Sequence, residues 1–199
     1  MAKKHLYYVI HKPYKVLSQF TDENGNPGLG SLFDLPKDVY PVGRLDLDSE
    51  GLLLLTNDKK LNHELLNPQK GHLRTYWVEV EGEPNDNALK HLRNGVTINV
   101  SGKKHLTKKA EANIIHPEGI TEREPPVNYN KHPITKWLEI SLTEGKNRQV
   151  RKMTAKVGHP TLRLIRVAIE SLHLTPLKPG EITQVSQKVV YGKLKIEHQ

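Results

Sequence analysis

The 199-residue sequence contains no cysteine. That excludes a disulfide framework, thiolate zinc and iron–sulfur ligation, and a thiol nucleophile. No apolar run approaches the roughly 18–20 residues of a membrane-spanning helix. Neither G-x-x-x-x-G-K-[ST] nor G-x-G-x-x-G occurs, and Gly28-Leu29-Gly30 has no third glycine and no convincing strand before it. H-E-x-x-H is missing, and the histidines do not fall at ligand spacing; His63 and His91 read as surface residues. No nucleophile-elbow signature supports a Ser-His-Asp hydrolase. There is no internal repeat and no low-complexity tract.

What is present is an ordinary globular composition, 36% hydrophobic and 26% charged. The length fits one domain, or two small lobes sharing a core. The Met1-Ala2-Lys3-Lys4-His5 start leads only into the short apolar stretch Tyr7-Tyr8-Val9-Ile10, too short for a signal peptide, and the expected location is the cytoplasm. Thirty Lys+Arg against 22 Asp+Glu leave a net charge of +8. A surplus of that size favours a polyanionic partner, because neutralised phosphates release counterions; the plainer alternative is a basic soluble protein.

Residues 7–12 are β-formers stopped by Pro13. Residues 21–30 (TDENGNPGLG) read as a loop. Gly51 followed by four leucines reads as a strand buried on both faces. Thr56-Asn57-Asp58 offers helix caps ahead of 59–66, with Leu61, Leu65 and Leu66 assigned to one face and Asn67-Pro68 as the stop. Residues 74–82 alternate, with Tyr76, Val78 and Val80 on the apolar side. Asn85-Asp86 caps a short helix closed by Asn94-Gly95. Weak alternation over 96–115 surrounds a basic turn, Lys103 to Lys109, and residues near 118–134 read as a loop insertion. A strand at 137–142 precedes a helix opening at Lys146, with Val150, Met153, Thr154 and Val157 inward and Gly158 at its end. Leu162–Ile169 and Leu172–Leu177 read as strands, Pro179-Gly180 as a turn, and the tail from Gln184 as a helix. Strands outnumber helices in mixed order, which predicts an α+β fold with a mixed, largely antiparallel sheet and flanking helices.

Three features stand out chemically. Asp46, Asp48 and Glu50 follow at i, i+2, i+4 and would share a face if extended. They suit a hard-cation site, a lone catalytic carboxylate tuned by an arginine, or simply a polar turn. Lys146-Asn147-Arg148-Gln149-Val150-Arg151-Lys152 suits phosphates or a buried carboxylate, or is a solvated basic helix face. Tyr76 is either a core tyrosine or a platform for an extracted base.

At Gly43-Arg44-Leu45-Asp46 the chain resembles the pseudouridine synthases of the RsuA family. GRLDLDSEGLLLLTND (43–58) is similar to that family's catalytic motif, and His11-Lys12-Pro13 with Val16-Leu17-Ser18 to its opening segment. Arg74-Thr75-Tyr76-Trp77-Val78, EGKNRQVRKM (144–153), Val157-Gly158-His159-Pro160 with Leu164-Ile165-Arg166-Val167, and Leu177-Lys178-Pro179-Gly180-Glu181 follow in the family's order. The resemblance implies a pseudouridine synthase fold of two lobes around a cleft, converting a specific uridine in RNA to pseudouridine with no metal and no organic cofactor. It implies Asp46 as the catalytic carboxylate, Tyr76 against the flipped uridine, and Arg151 paired with Asp46. Arg44, Arg148, Lys146 and Gln149 would contact RNA, with Arg44 a candidate to fill the space the flipped base leaves. Val150 or Ile165 would wall the uracil pocket. The opening motif lies almost at the first residue, leaving no room for the N-terminal S4 domain typical of the family. That arrangement resembles the RluE-type branch, one catalytic domain over 1–199 acting as a monomer on a structured stem-loop of large-subunit (23S) ribosomal RNA. Ala168-Ile169-Glu170 departs from the small-residue-and-glycine pattern at that place.

Overall fold

A computed structural model describes residues 4–197, so Met1-Ala2-Lys3 of the basic start and the last two residues of the tail lie outside the described residues. The chain forms two compact units, one combining residues 1–72 with 166–199 and the other spanning 73–165. The elements in chain order are β1 (Tyr7–Lys12), β2 (Tyr40–Pro41), β3 (Glu50–Thr56), α1 (Lys59–Leu66), β4 (Arg74–Glu81), α2 (Asp86–Asn94), β5 (Thr97–Val100), β6 (Lys103–Leu106), β7 (Glu111–Ile115) and β8 (Thr135–Leu142). They continue with α3 (Gln149–Lys156), β9 (Thr161–Ile169), β10 (Leu172–His173), β11 (Ile182–Gln184) and α4 (Gln187–Leu194). This is a mixed α+β protein, and β1–β11, β1–β3, β2–β3, β9–β10, β4–β8, β7–β8 and β5–β6 all pair antiparallel.

The first unit is built around β3. All seven of its residues are buried, and Leu52 to Leu55 are fully so. Leu53 and Leu55 pack with Ile10, Val16, Leu29, Phe33, Val39 and Leu45 on one face. Each such leucine contributes about 1.5–3 kcal/mol by leaving water. Gly51 has φ +107°, and a Cβ there would meet the Arg166 carbonyl oxygen at 2.3 Å. Asp58 caps α1, accepting from the backbone N–H groups of Lys60 and Leu61 at 2.9 and 3.2 Å. Leu61 and Leu65 are buried, but Leu66 is 43% exposed. At 100° per residue, Leu66 stands well off the Leu61–Leu65 line, and the apolar stripe is narrower than expected.

The second unit holds β4, β8 and β7 in that order, with the β5–β6 hairpin separate. Val78, Val80, Leu89, Leu92, Ile98, Ala112, Leu138, Ile140, Val150 and Met153 share its core. Asn85 caps α2 through Ala88 N–H at 2.9 Å, and the helix ends at Gly95. The basic run anticipated as a turn instead supplies β6. The turn is Ser101-Gly102, both at positive φ, which suits a two-residue hairpin loop. Residues 116–134 carry no helix or strand. Further boundaries differ from expectation. Helix α3 starts at Gln149, because Arg148 sits in the left-handed region at φ +53°. Strand β10 is two residues long, since Leu177 N–H turns back to the Leu174 carbonyl and Pro176 has no N–H to give. Glu170, in the segment that departs from the small-residue-and-glycine pattern, makes its turn at φ +49°.

Candidate active site

Each candidate residue is set by its own unit. In the first, the segment carrying Arg44 and Asp46 enters β3. Ser18 Oγ accepts from Leu45 N–H at 3.0 Å and donates to the Leu45 carbonyl at 2.8 Å. Lys15 N–H donates to the Leu47 carbonyl at 2.9 Å, and Ser49 N–H to the Asp46 carbonyl at 3.0 Å. Leu45 is anchored in the core. The backbone on either side of Asp46 is therefore clamped, and its half-buried carboxyl springs from a fixed turn. Residues 46–49 curl rather than extend, and the carboxylates of Asp46, Asp48 and Glu50 all act on one group, the Lys12 ammonium. Among the described residues no three His, Asp or Glu side chains gather as a metal ligand set. Arg44 is exposed.

The charge beneath this turn comes from a residue that sequence reasoning left without a role. Lys12 is wholly buried, and its Nζ donates to the carbonyls of Pro13 at 2.8 Å and Val16 at 2.6 Å. Burial lowers its pKa to about 8, against the pull of Glu50, Asp48 and Asp46, which favour the ammonium. Glu50 is 1% exposed. Arg166, also buried, donates from Nε to the Leu52 carbonyl at 2.8 Å and pushes the lysine the other way. Lys12 is the last residue of β1, directly before Pro13.

In the second unit, Tyr76 pairs with Ile140 across β4–β8. It is half-buried, with its ring against the cluster that includes Val150. Val150 and Ile165 are 5% and 3% exposed. Lys146 and Arg148 are exposed on the turn leading into α3. Arg151, half-buried, donates to the Thr161 carbonyl at 3.4 Å. Gln149, expected on the RNA side, is instead buried. Its amide is engaged at home, accepting from Lys146 N–H at 2.9 Å and donating to Glu144 at 2.7 Å. Burial would raise the Glu144 pKa, but Lys108 N–H, Gln149 and His105 outweigh it and hold the carboxylate below its usual range. Gln149 thus shapes the loop that presents Arg148 and Lys146.

Comparison with known proteins gives a consistent result. The family described as RNA pseudouridylate synthase matches residues 6–156. A protein of Vibrio vulnificus called ribosomal large subunit pseudouridine synthase E is 46% identical over 178 residues, covering 89% of this chain and 74% of that protein. A protein of the same description from Xanthomonas axonopodis pv. citri is 48% identical over 173 residues, 86% of this chain and 89% of its own length. A solved structure described as a pseudouridylate synthase superposes with a TM-score of 0.78 at 25% identity, covering 96% of this chain and 74% of that one.

Proposed function

The chain belongs to the RNA pseudouridylate synthase family and is an RNA-modifying isomerase; from that premise we propose that its substrate is the large-subunit (23S) ribosomal RNA and that Asp46 is its catalytic carboxylate. The observation that carries the substrate is near-half identity, over most of both chains, to the two large-subunit synthases. The residue roles rest on the motif resemblance and on the clamped turn that aims Asp46.

The reaction exchanges an N-glycosidic for a C-glycosidic bond within one nucleotide. Nothing is oxidised or reduced, so the balance calls for no redox cofactor. What it needs is an ionised carboxylate, a way to move a proton from carbon to nitrogen, and a uridine drawn out of its stack. Extraction costs a few kcal/mol, which phosphate contacts offset. Asp46 supplies the carboxylate, and the motif resemblance assigns Arg151 to it as its cationic partner. Tyr76 lies against the uracil and Val150 or Ile165 walls its pocket, while Arg44, Arg148 and Lys146 contact the RNA. The substrate is a structured stem-loop, and the protein works as a monomer in the cytoplasm.

Replacing the carboxylate is the direct test. Asp46→Asn is isosteric and sits in a turn held by backbone bonds, so it should keep the fold and RNA affinity while pseudouridine formation in 23S rRNA transcripts falls at least a thousandfold. Residual turnover near the wild-type level would remove Asp46 from the chemistry. Pseudouridine mapping of total RNA, with and without the protein, reads the substrate: a site lost from tRNA rather than 23S rRNA would overturn that part.

A further inference from the structure

The second unit carries a groove that none of the roles above uses. It has a volume of about 570 Å³ and lies where the start of α2, the end of α3 and the β5–β6 hairpin meet. Its walls include Asn87, His91, Leu106, Lys156, Val157 and His159, and not one aspartate or glutamate. Leu106 is 67% exposed, the most exposed large apolar side chain among the described residues.

The hairpin register explains how this surface arises. Thr97 lies opposite Leu106, and Asn99 opposite Lys104. Because side chains alternate, these four share the outward face, while Ile98 turns into the core. Lys104 therefore stands two residues from Leu106 on the same face, extending the groove's basic lining. Both histidines have their tautomer set by the backbone. His91 Nδ1 meets the Asn87 carbonyl at 2.8 Å and His159 Nδ1 the Glu81 carbonyl at 2.9 Å. A carbonyl only accepts, so Nδ1 is the donor in each ring. The Nε2 atoms are then acceptors in the neutral rings and donors once protonated.

Charge points the same way. Residues 73–165 hold 16 Lys+Arg and 10 Asp+Glu, so this unit carries +6 of the chain's +8. A groove without carboxylates, in the basic unit of a protein whose substrate is a polyanion, is complementary to that polyanion. Its size lies within the 300–1,000 Å³ of ordinary small-ligand sites. The exposed Leu106 and the half-buried Val157 offer an apolar platform, the asparagine amide can meet a base edge, and lysine and histidine suit a phosphate.

We infer that this groove is a second RNA-binding site, which seats an unpaired nucleotide of the substrate RNA other than the one that reacts. Lys156 and Lys104 take its phosphates, and Leu106 with Val157 contacts its base. The inference rests on RNA being the substrate, and it deepens that reading by adding a contact for a nucleotide other than the one that reacts.

The test uses the full chain and 23S rRNA transcript. Lys104→Glu/Lys156→Glu changes two exposed side chains, and Leu106→Ala removes an exposed one, so folding, checked by circular dichroism, should be unaffected. The double variant should raise KM about tenfold with kcat within twofold of wild type. Its log Kd against log salt slope should be shallower by about 1.5–2, as for two lost phosphate contacts. Leu106→Ala should raise KM severalfold and leave the salt slope alone, separating base contact from charge. Unchanged KM and slope in the double variant would overturn the inference, as would a fall in kcat at constant KM. Direct RNA binding by the same variants is a readout independent of turnover. A wild-type protein that makes no pseudouridine in 23S rRNA would sink the substrate proposal, whereas loss of binding confined to the groove variants would still support the site.

Discussion

Lys12 shows how a single buried residue constrains the turn that carries Asp46. Its ammonium is sealed in, satisfied by two carbonyls, and poised by burial against three carboxylates. The folded-state pKa of about 8 lies below the ordinary lysine value of 10.5. Between those values the unfolded chain binds more protons than the folded one, so this residue's contribution to stability rises with pH across that window. Below pH 8 both states are charged and the dependence vanishes. Comparing wild type with Lys12→Met cancels the other titrations. The difference in unfolding free energy should grow by about 2 kcal/mol in favour of wild type from pH 8 to pH 10. Urea unfolding at a series of pH values measures it, and a flat difference would show that the lysine is solvated in the folded state. Nothing in composition or periodicity marks Lys12 as buried, because lysines are almost never fully buried. Asp46, by contrast, was legible through its motif, although spacing alone left a metal site, a lone carboxylate and a plain turn open. The bonds of Ser18, Lys15 and Ser49 hold residues 45–49 in a turn, a backbone shape that carboxylate spacing does not reveal.

At the scale of elements, caps were the most readable feature and helix starts in basic loops the least. Asp58 and Asn85 stand where side-chain chemistry predicts helix N-termini. Arg148 in the left-handed region is not foreshadowed by any glycine or asparagine, and so α3 begins three residues later than the pattern suggests. Asp58 also does more than cap. Its Oδ2 accepts from the hydroxyls of Tyr7 on β1 and Tyr191 on α4, both at 2.7 Å. Burial is the largest influence on all three groups, and it would raise each pKa. For Tyr191 the carboxylate adds to it and carries the hydroxyl up to about 12. For Asp58 the two hydroxyls and Leu61 N–H outweigh burial and hold the carboxyl below its usual range. A depressed carboxyl pKa stabilises the fold above the unfolded value and loses that contribution as pH falls through the folded one. Asp58→Ala removes a cap and leaves two buried hydroxyls wanting an acceptor. The expected loss is about 3 kcal/mol, roughly 1 for the cap and 1 for each hydroxyl. Asp58→Asn keeps the capping oxygen and should lose about 2 kcal/mol, the share of the two hydroxyls. Thermal unfolding of the two variants decides this. A loss under 1 kcal/mol in the alanine variant would mean that β1, α1 and α4 hold together by apolar packing alone.

For the molecule as a whole, the net charge read from the sequence gains a location. It is concentrated in the second unit, whose apolar core was legible from the alternation of β4 and the stripes of α2 and α3. The groove was not, because it depends on which face of the β5–β6 hairpin turns outward, and that follows from the Ser101-Gly102 turn rather than from the basic run beside it. A surplus held mainly by exposed lysines and arginines acts on RNA through counterion release. Each neutralised phosphate contributes about −0.7 to −0.9 to the slope of log affinity against log salt. If Arg44, Lys104, Lys146, Arg148, Lys152 and Lys156 each take one phosphate, affinity for 23S rRNA should fall about a thousandfold between 50 and 200 mM salt. The first unit, with a surplus of only two, supplies just Arg44 to that set. Arg44→Ala should therefore flatten the slope by about 1, and a combined change at the five second-unit residues by about 4. Filter binding across that salt range measures both slopes. An equal effect of the two variants would mean that RNA is held at the catalytic turn and not by the basic unit.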